Sequence, residues 1–179
     1  MAFIRNQDRM VYRTVFDYVA AQLTALSWTS STVALLPFGA TTPVVIIEDV
    51  PDPKLTSVVP NTVAFTQGTT PDDLEGELGA AFGGLWLTHH TFFIDIYAET
   101  VGVGKALASD LRAVLTGRLP NTSRYQPLMD YSAFPVVAAS GHLIHFEDVE
   151  VSRPESSSYK LHWEIVKFTA IHQFNATEG

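Results

Sequence analysis

Apolar residues recur along this chain with two different periods, and the change from one to the other marks its elements. From Asp8 to Leu26, Val11, Val15, Val19 and Leu23 repeat at every fourth position and Leu26 follows three later. Tyr12 and Phe16 widen the stripe, so the segment predicts an amphipathic helix with Asn6 or Asp8 as its N-cap. Residues 27–37 predict a turn and a short strand through Val33, Leu35 and Leu36. Pro43–Val50 and Asn61–Thr66 predict two more strands, a meander punctuated by Pro51, Pro53 and Pro60. The strongest strand is Thr91–Glu99 (TFFIDIYAE), apolar on both faces. A second helix follows over Val101–Thr116, with Val103, Leu107, Leu111 and Val114 as its stripe and Gly117 placed to end it.

The C-terminal part predicts a hairpin: a strand over His142–Val151, a turn at Ser152–Ser158, and a strand over Tyr159–Phe174. In that last strand Tyr159, Leu161, Trp163 and Ile165 alternate with polar partners, and from Val166 the apolar character passes to Val166, Phe168, Ala170 and Phe174. This reads as a strand that exchanges its buried face midway. Two long connections separate the elements. Residues 67–90 hold Gly68, Gly76, Gly79, Gly83 and Gly84 and the acidic cluster Asp72, Asp73, Glu75 and Glu77. Residues 118–141 hold Tyr125, Met129, Tyr131 and Phe134, an aromatic content suited to an interface. The expected fold is a single α+β domain over residues 1–179. A mainly antiparallel sheet carries two packed helices, a long C-terminal β-hairpin and extended loops at 67–90 and 118–141.

Composition narrows the chemistry. The chain has 179 residues, 46% hydrophobic and only 17% charged, with a net charge of −8. An acidic chain without a basic run is a poor ligand for a phosphate backbone, although nucleic acid could pass such a surface without being held. The absence of cysteine removes disulfides, thiolate metal sites and cysteine nucleophiles. The opening residues, MAFIRNQDRMVYRT, contain no apolar run of the kind a signal peptide needs, and no segment has the length of a membrane span.

Histidines supply the only metal-like patterns. His89 and His90 precede the strand with Asp95, His142, His145 and Glu147 lie close together, and His162 and Glu164 stand two residues apart. Alternation on a solvent-facing strand produces such pairs freely, and no spacing specifies a third ligand. Ser140 in AASGH lacks the surroundings of a nucleophile elbow, and Gly102-Val103-Gly104 lacks the third glycine of a dinucleotide turn. The reading from residues is a protein with no catalytic set, no metal and no cofactor.

The order of elements resembles the tail terminator family of long-tailed bacteriophages. The resemblance rests on the N-terminal helix, the strand Ile94–Glu99 feeding the helix with Leu107–Leu115, and the final strand from Trp163 to the aromatic Phe174. It implies a virion protein that forms a hexameric ring on the last ring of the tail tube, ends tube growth and joins the tail to the head or neck. The implied partners are other copies of the chain, the tail tube protein and a head–tail connector, with genomic DNA passing through unbound. No membrane is involved; the chain would be made in the host cytoplasm and reside in the virion at the head-proximal end of the tail. Asp72, Asp73, Glu75 and Glu77 would then lie at the lumen or on the tube, and Tyr125, Met129, Tyr131 and Phe134 at an interface. A head-completion or neck protein is the nearest alternative, and a metal-dependent enzyme using His145 and Glu147 the alternative of another class.

Overall fold

The computed structural model describes residues 7–49, 61–68, 85–154 and 161–175. It is an α+β fold: among the described residues, six strands form one sheet and two helices pack on one of its faces. The helices are α1 (Gln7–Ala25) and α2 (Val101–Leu115); the strands are β1 (Val45–Glu48), β2 (Thr62–Gln67), β3 (Leu85–Ala98), β4 (Tyr125–Asp130), β5 (Val137–Ser152) and β6 (His162–Asn175). Their order across the sheet is β1-β2-β3-β6-β5-β4, so β1 and β4 are the two edges. All neighbours run antiparallel except β1 and β2.

Alternation along the strands builds the core. Phe92, Ile94, Ile96 and Ala98 of β3 face the helices with Val63 and Phe65 of β2, Ile144 and Phe146 of β5, and Val166, Phe168 and Ala170 of β6. Val11, Val15, Val19 and Leu23 of α1 and Val103, Leu107 and Leu111 of α2 close over them, as the fourfold spacing predicts. Aromatic rings knit the layers together: Phe92 stacks on Phe168 at 5.4 Å, and Tyr12 meets Phe65 edge-on at 5.4 Å. Helix α2 begins at Thr100, whose hydroxyl accepts from the Val103 N–H. It ends at Gly117 (φ +66°), where the Arg118 N–H reaches back to the Ala113 carbonyl.

Close approach of α2 to the sheet depends on Gly104. A Cβ there would lie 3.2 Å from the Ala98 Cβ and 3.6 Å from the Glu164 Cγ. Gly104→Val must push the helix off β3, and we expect a loss of about 1–3 kcal/mol in the free energy of urea unfolding.

Several expectations are corrected. The short strand expected over 27–37 is absent; Val33–Leu35 and Pro37–Gly39 form two 3-10 turns instead. Pro37 and the positive φ of Phe38 and Gly39 turn the backbone where a strand would have continued. The expected meander is replaced by parallel pairing of β1 with β2, which requires a crossover rather than a hairpin between them. Of the loop expected at 67–90, Gln67 ends β2 and residues 85–90 belong to β3 instead, and residues 69–84 lie outside the described residues. The loop expected at 118–141 contains β4 and the start of β5. Pro127 sits within β4, a position open to proline because β4 is an edge strand.

The last strand keeps one face throughout. Glu164, Val166, Phe168, Ala170 and His172 are all buried on the helix side, and Trp163 and Ile165 lie on the other. Polarity at Glu164 mimicked a change of face. That carboxylate lies under α2 near Gly104, with Arg153 Nε 4.0 Å away. Trp163 is held on the opposite face, stacked on Tyr97 and donating its indole N–H to Asp95 at 2.8 Å.

Candidate interface

The acidic cluster Asp72, Asp73, Glu75 and Glu77 lies outside the described residues. The four aromatic and methionine candidates are placed, and they divide. Phe134 is fully exposed, at 101% of its reference area, on the loop that joins β4 to β5. Tyr125 is about half exposed and stacks on His145 at 4.5 Å. Tyr131 turns inward, packs on the core and donates its hydroxyl to Asp17 at 2.8 Å. Burial, with that bond to Asp17, pushes the Tyr131 hydroxyl up to about 12. Met129 is partly buried, and its backbone N–H bonds the Thr14 hydroxyl of α1. Tyr131 and Met129 therefore fasten the β4–β5 hairpin to α1, and Phe134 is what the hairpin presents.

Exposed apolar side chains gather in two places. Val33, Leu35 and Phe38 stand on the 3-10 turns that lead into β1, and Val45 follows on β1 itself. Phe134, Val136 and Val137 form the other group, at the tip of the β4–β5 hairpin. These are seven of the nine large apolar side chains exposed among the described residues, so the clustering is not a scatter of surface leucines and valines. Both groups fall in stretches without a charged residue, 27–47 and 131–146, in a chain of net charge −8. Phe38 holds a left-handed backbone (φ +53°) that a bulky residue rarely adopts, and its exposed ring stacks nearly parallel to that of buried Trp28 at 6.1 Å. Trp28 is anchored in turn by its indole N–H to Asp110 of α2 at 2.9 Å.

The two groups occupy diagonally opposite corners of the sheet. Five inter-strand gaps separate β1 from β4, roughly 24 Å at ~4.8 Å each. Through the ladder, Val45 is level with Trp163 of β6, whereas Tyr125 is level with Ile171. That step adds roughly 26 Å along the strands at ~3.3 Å per residue. An exposed polar chain crosses α1 between the corners: Glu48 of β1 to Arg13 (3.2 Å), Arg13 to Asp17 (3.1 Å), and Asp17 to Tyr131. Neither edge invites a further strand, because β1 has four residues and β4 carries Pro127 and a break in register before Met129. Contact at either corner is therefore a matter of side chains.

The histidines converge across strands rather than along them. His145 Nδ1 does meet Glu147 at 3.2 Å, as the two-residue spacing suggests. The buried cluster, however, is His90 of β3, His172 of β6 and His142 of β5, all on the helix side. His142 Nδ1 and His172 Nε2 are 2.9 Å apart with their rings stacked at 5.1 Å. The Gln67 amide donates to His90 Nδ1 (3.2 Å), which leaves the His90 proton on Nε2, 4.0 Å from the Asp8 carboxylate. Burial lowers the pKa of all three, taking His172 down to about 4 with further help from the other two rings. Among the described residues, no three His, Asp or Glu side chains are grouped as metal ligands, and no helix is long and apolar enough to cross a membrane.

Strand periodicity could not reveal this cluster, because it depends on register. The apolar corners had a readable signal in the two charge-free stretches. No protein-family model matches the chain, and no curated protein is significantly similar to it.

Proposed function

We propose that this chain is a structural subunit of a bacteriophage tail, a terminator-like protein that closes into a six-membered ring on the end of the tail tube. One observation carries the assembly: two unlike, charge-free apolar patches at opposite corners of a single sheet. A self-complementary dimer uses one patch twice, whereas contact between two different patches is head-to-tail and makes a ring when the rotation from copy to copy closes. Like-charged copies approach with least repulsion where the surface carries no charge, and both patches satisfy that condition. The resemblance of the sequence to the terminator family implies the location in this reading: the head-proximal end of the tail, between the tube protein and a neck or connector protein.

In this reading the ring works by occupancy. It covers the surface on which the next tube subunits would add, and its other side receives the head. Genomic DNA passes through the centre without specific contacts, as suits an acidic chain. No catalysis or cofactor enters the role.

Light scattering and negative-stain imaging of the full chain, alone and mixed with the tube protein, test the proposal. Six-fold rings are the expected result. Twelve-fold rings would assign the chain to the neck instead, and a monomer that ignores the tube would overturn the reading.

A further inference from the structure

The fold gathers cations that the sequence scatters. Residues 100–129 hold four of the eleven lysines and arginines, Lys105, Arg112, Arg118 and Arg124, and only one of the nineteen acids, Asp110. That stretch carries +3, so the rest of the chain carries −11. Lys105 and Arg112 stand seven residues apart on α2, hence on one face and about 10 Å apart along its axis, with Ser109 between them. Arg118 and Arg124 extend the row past the end of the helix. A Cβ on Gly117 would lie 3.1 Å from the Arg124 backbone nitrogen, which brings Arg124 beside Arg118. The turn between them is fixed. The Thr122 hydroxyl donates to the Leu119 carbonyl (2.6 Å) and accepts from the Leu119 N–H (3.1 Å). The Tyr18 hydroxyl holds both backbone groups of Ser123 at 3.2 Å, and the Arg124 carbonyl takes the Phe146 N–H at 2.9 Å.

All four side chains are exposed. Among the described residues none of them lies within 4.0 Å of a carboxylate, whereas Arg13 and Arg153 both do. Asp110 is turned to the Trp28 indole at 2.9 Å, and Glu147 lies on the other face of the sheet with His145 at 3.2 Å. A helix C-terminus attracts cations, which accounts for Arg112 and Arg118. It does not account for Lys105 at the other end of α2, for Arg124, or for the want of acids along the row. Residues 98–124 contain no aromatic residue and none of the exposed large apolar side chains. The exposed and half-exposed neighbours of the cations are Ser109, Thr116, Asn121, Thr122 and Ser123. A protein partner needs an apolar centre inside its charged rim, and single-stranded bases need rings to stack on. Cations set among small hydroxyl and amide groups suit a phosphate backbone.

We propose that the α2 face bearing Lys105, Arg112, Arg118 and Arg124 binds the phosphate backbone of duplex DNA without regard to sequence. From Lys105 to the end of α2 the row is about 15 Å long, roughly four to five base pairs at ~3.4 Å each. The −11 carried elsewhere repels the same backbone, so the contact is local and weak, as a duplex that slides past requires. In the ring proposed above, the duplex met by this face is the passing genome. Only that identification rests on the ring; the binding itself belongs to the single chain.

Salt sets the size of the effect. The logarithm of the binding constant falls with the logarithm of salt by about 0.9 per phosphate contact. Four contacts therefore predict a slope of about −3.6 and roughly a hundredfold loss of affinity between 50 and 200 mM. Fluorescence anisotropy of a short labelled duplex of arbitrary sequence, titrated with the full chain, reads this directly. Arg112→Ala combined with Arg118→Ala removes two contacts, so the slope should halve to about −1.8 and affinity at 50 mM should fall at least tenfold. Should that variant fail to fold, Lys105→Ala, away from the helix end, should lower the slope by about 0.9. Arg13→Ala removes a cation already held by Asp17 and Glu48 and should change neither affinity nor slope. No binding at 50 mM, a slope unchanged in the α2 variants, or an equal loss in Arg13→Ala overturns the site. Tighter binding to a single strand of the same length, or to polyglutamate, than to the duplex also overturns it and gives the face to bases or to an acidic protein. Duplex binding by a chain that stays monomeric beside the tube protein keeps the site and removes the ring. Six-fold rings that do not bind the duplex remove the site and keep the ring.

Discussion

Phe134→Asp should abolish self-association while leaving the fold intact. The side chain is fully exposed in the single chain, so its replacement removes no packing and its effect on unfolding should stay within about 0.5 kcal/mol. Burying a phenylalanine against another copy is worth about 1.5–3 kcal/mol, and placing a carboxylate in the same apolar contact adds a desolvation cost. Together these weaken association at least a hundredfold, enough to turn rings into monomers at micromolar concentration. Phe38→Asp at the other corner should act with similar force. Its ring leans on Trp28, so a small loss of stability accompanies it. Sedimentation or light scattering, with urea unfolding as the control, separates the two effects.

The second large effect is acid destabilisation from the three buried histidines. In the folded chain His90, His142 and His172 all have lowered pKa values, so folding favours their neutral forms. Their contribution is fully present above the unfolded value of 6.5 and is lost as pH falls through the folded values, down to about 4 for His172. For His172 alone the full loss is about 3 kcal/mol, at ~1.4 kcal/mol per unit of pKa. Asp95 has the opposite sign: burial raises its pKa, so its protonated form is the better folded one. Urea unfolding from pH 7 to pH 4 should show stability falling steadily as protons enter. In His172→Phe the slope should shrink by about one proton. An unchanged slope would mean that the ring titrates alike in both states.

Much of this architecture was legible in the sequence for a physical reason: helices and strands with one buried face carry their period in the residues themselves. Both helices, β3 and the C-terminal hairpin follow from it. The failures occur where local pattern and tertiary context part. Val33, Leu35 and Leu36 looked like a strand, but they precede Pro37 and the backbone turns there into two 3-10 turns. Glu164 looked solvent-facing because it is charged, yet α2 covers it. Parallel pairing of β1 and β2 and the meeting of His90, His142 and His172 depend on register, which no single strand records. Tyr131 and Phe134 are three residues apart in one aromatic loop, and only the fold shows that the first is an anchor and the second is the surface.

The central claim is that one patch of each copy meets a different patch of the next. Mixing two blocked chains tests it most directly. A Phe38→Asp chain keeps a working hairpin tip, and a Phe134→Asp chain keeps a working 33–38 corner. Each alone should be monomeric by light scattering, and an equimolar mixture should form a one-to-one heterodimer and nothing larger. No association in the mixture, or homodimers of either chain alone, would show that the copies do not join head to tail.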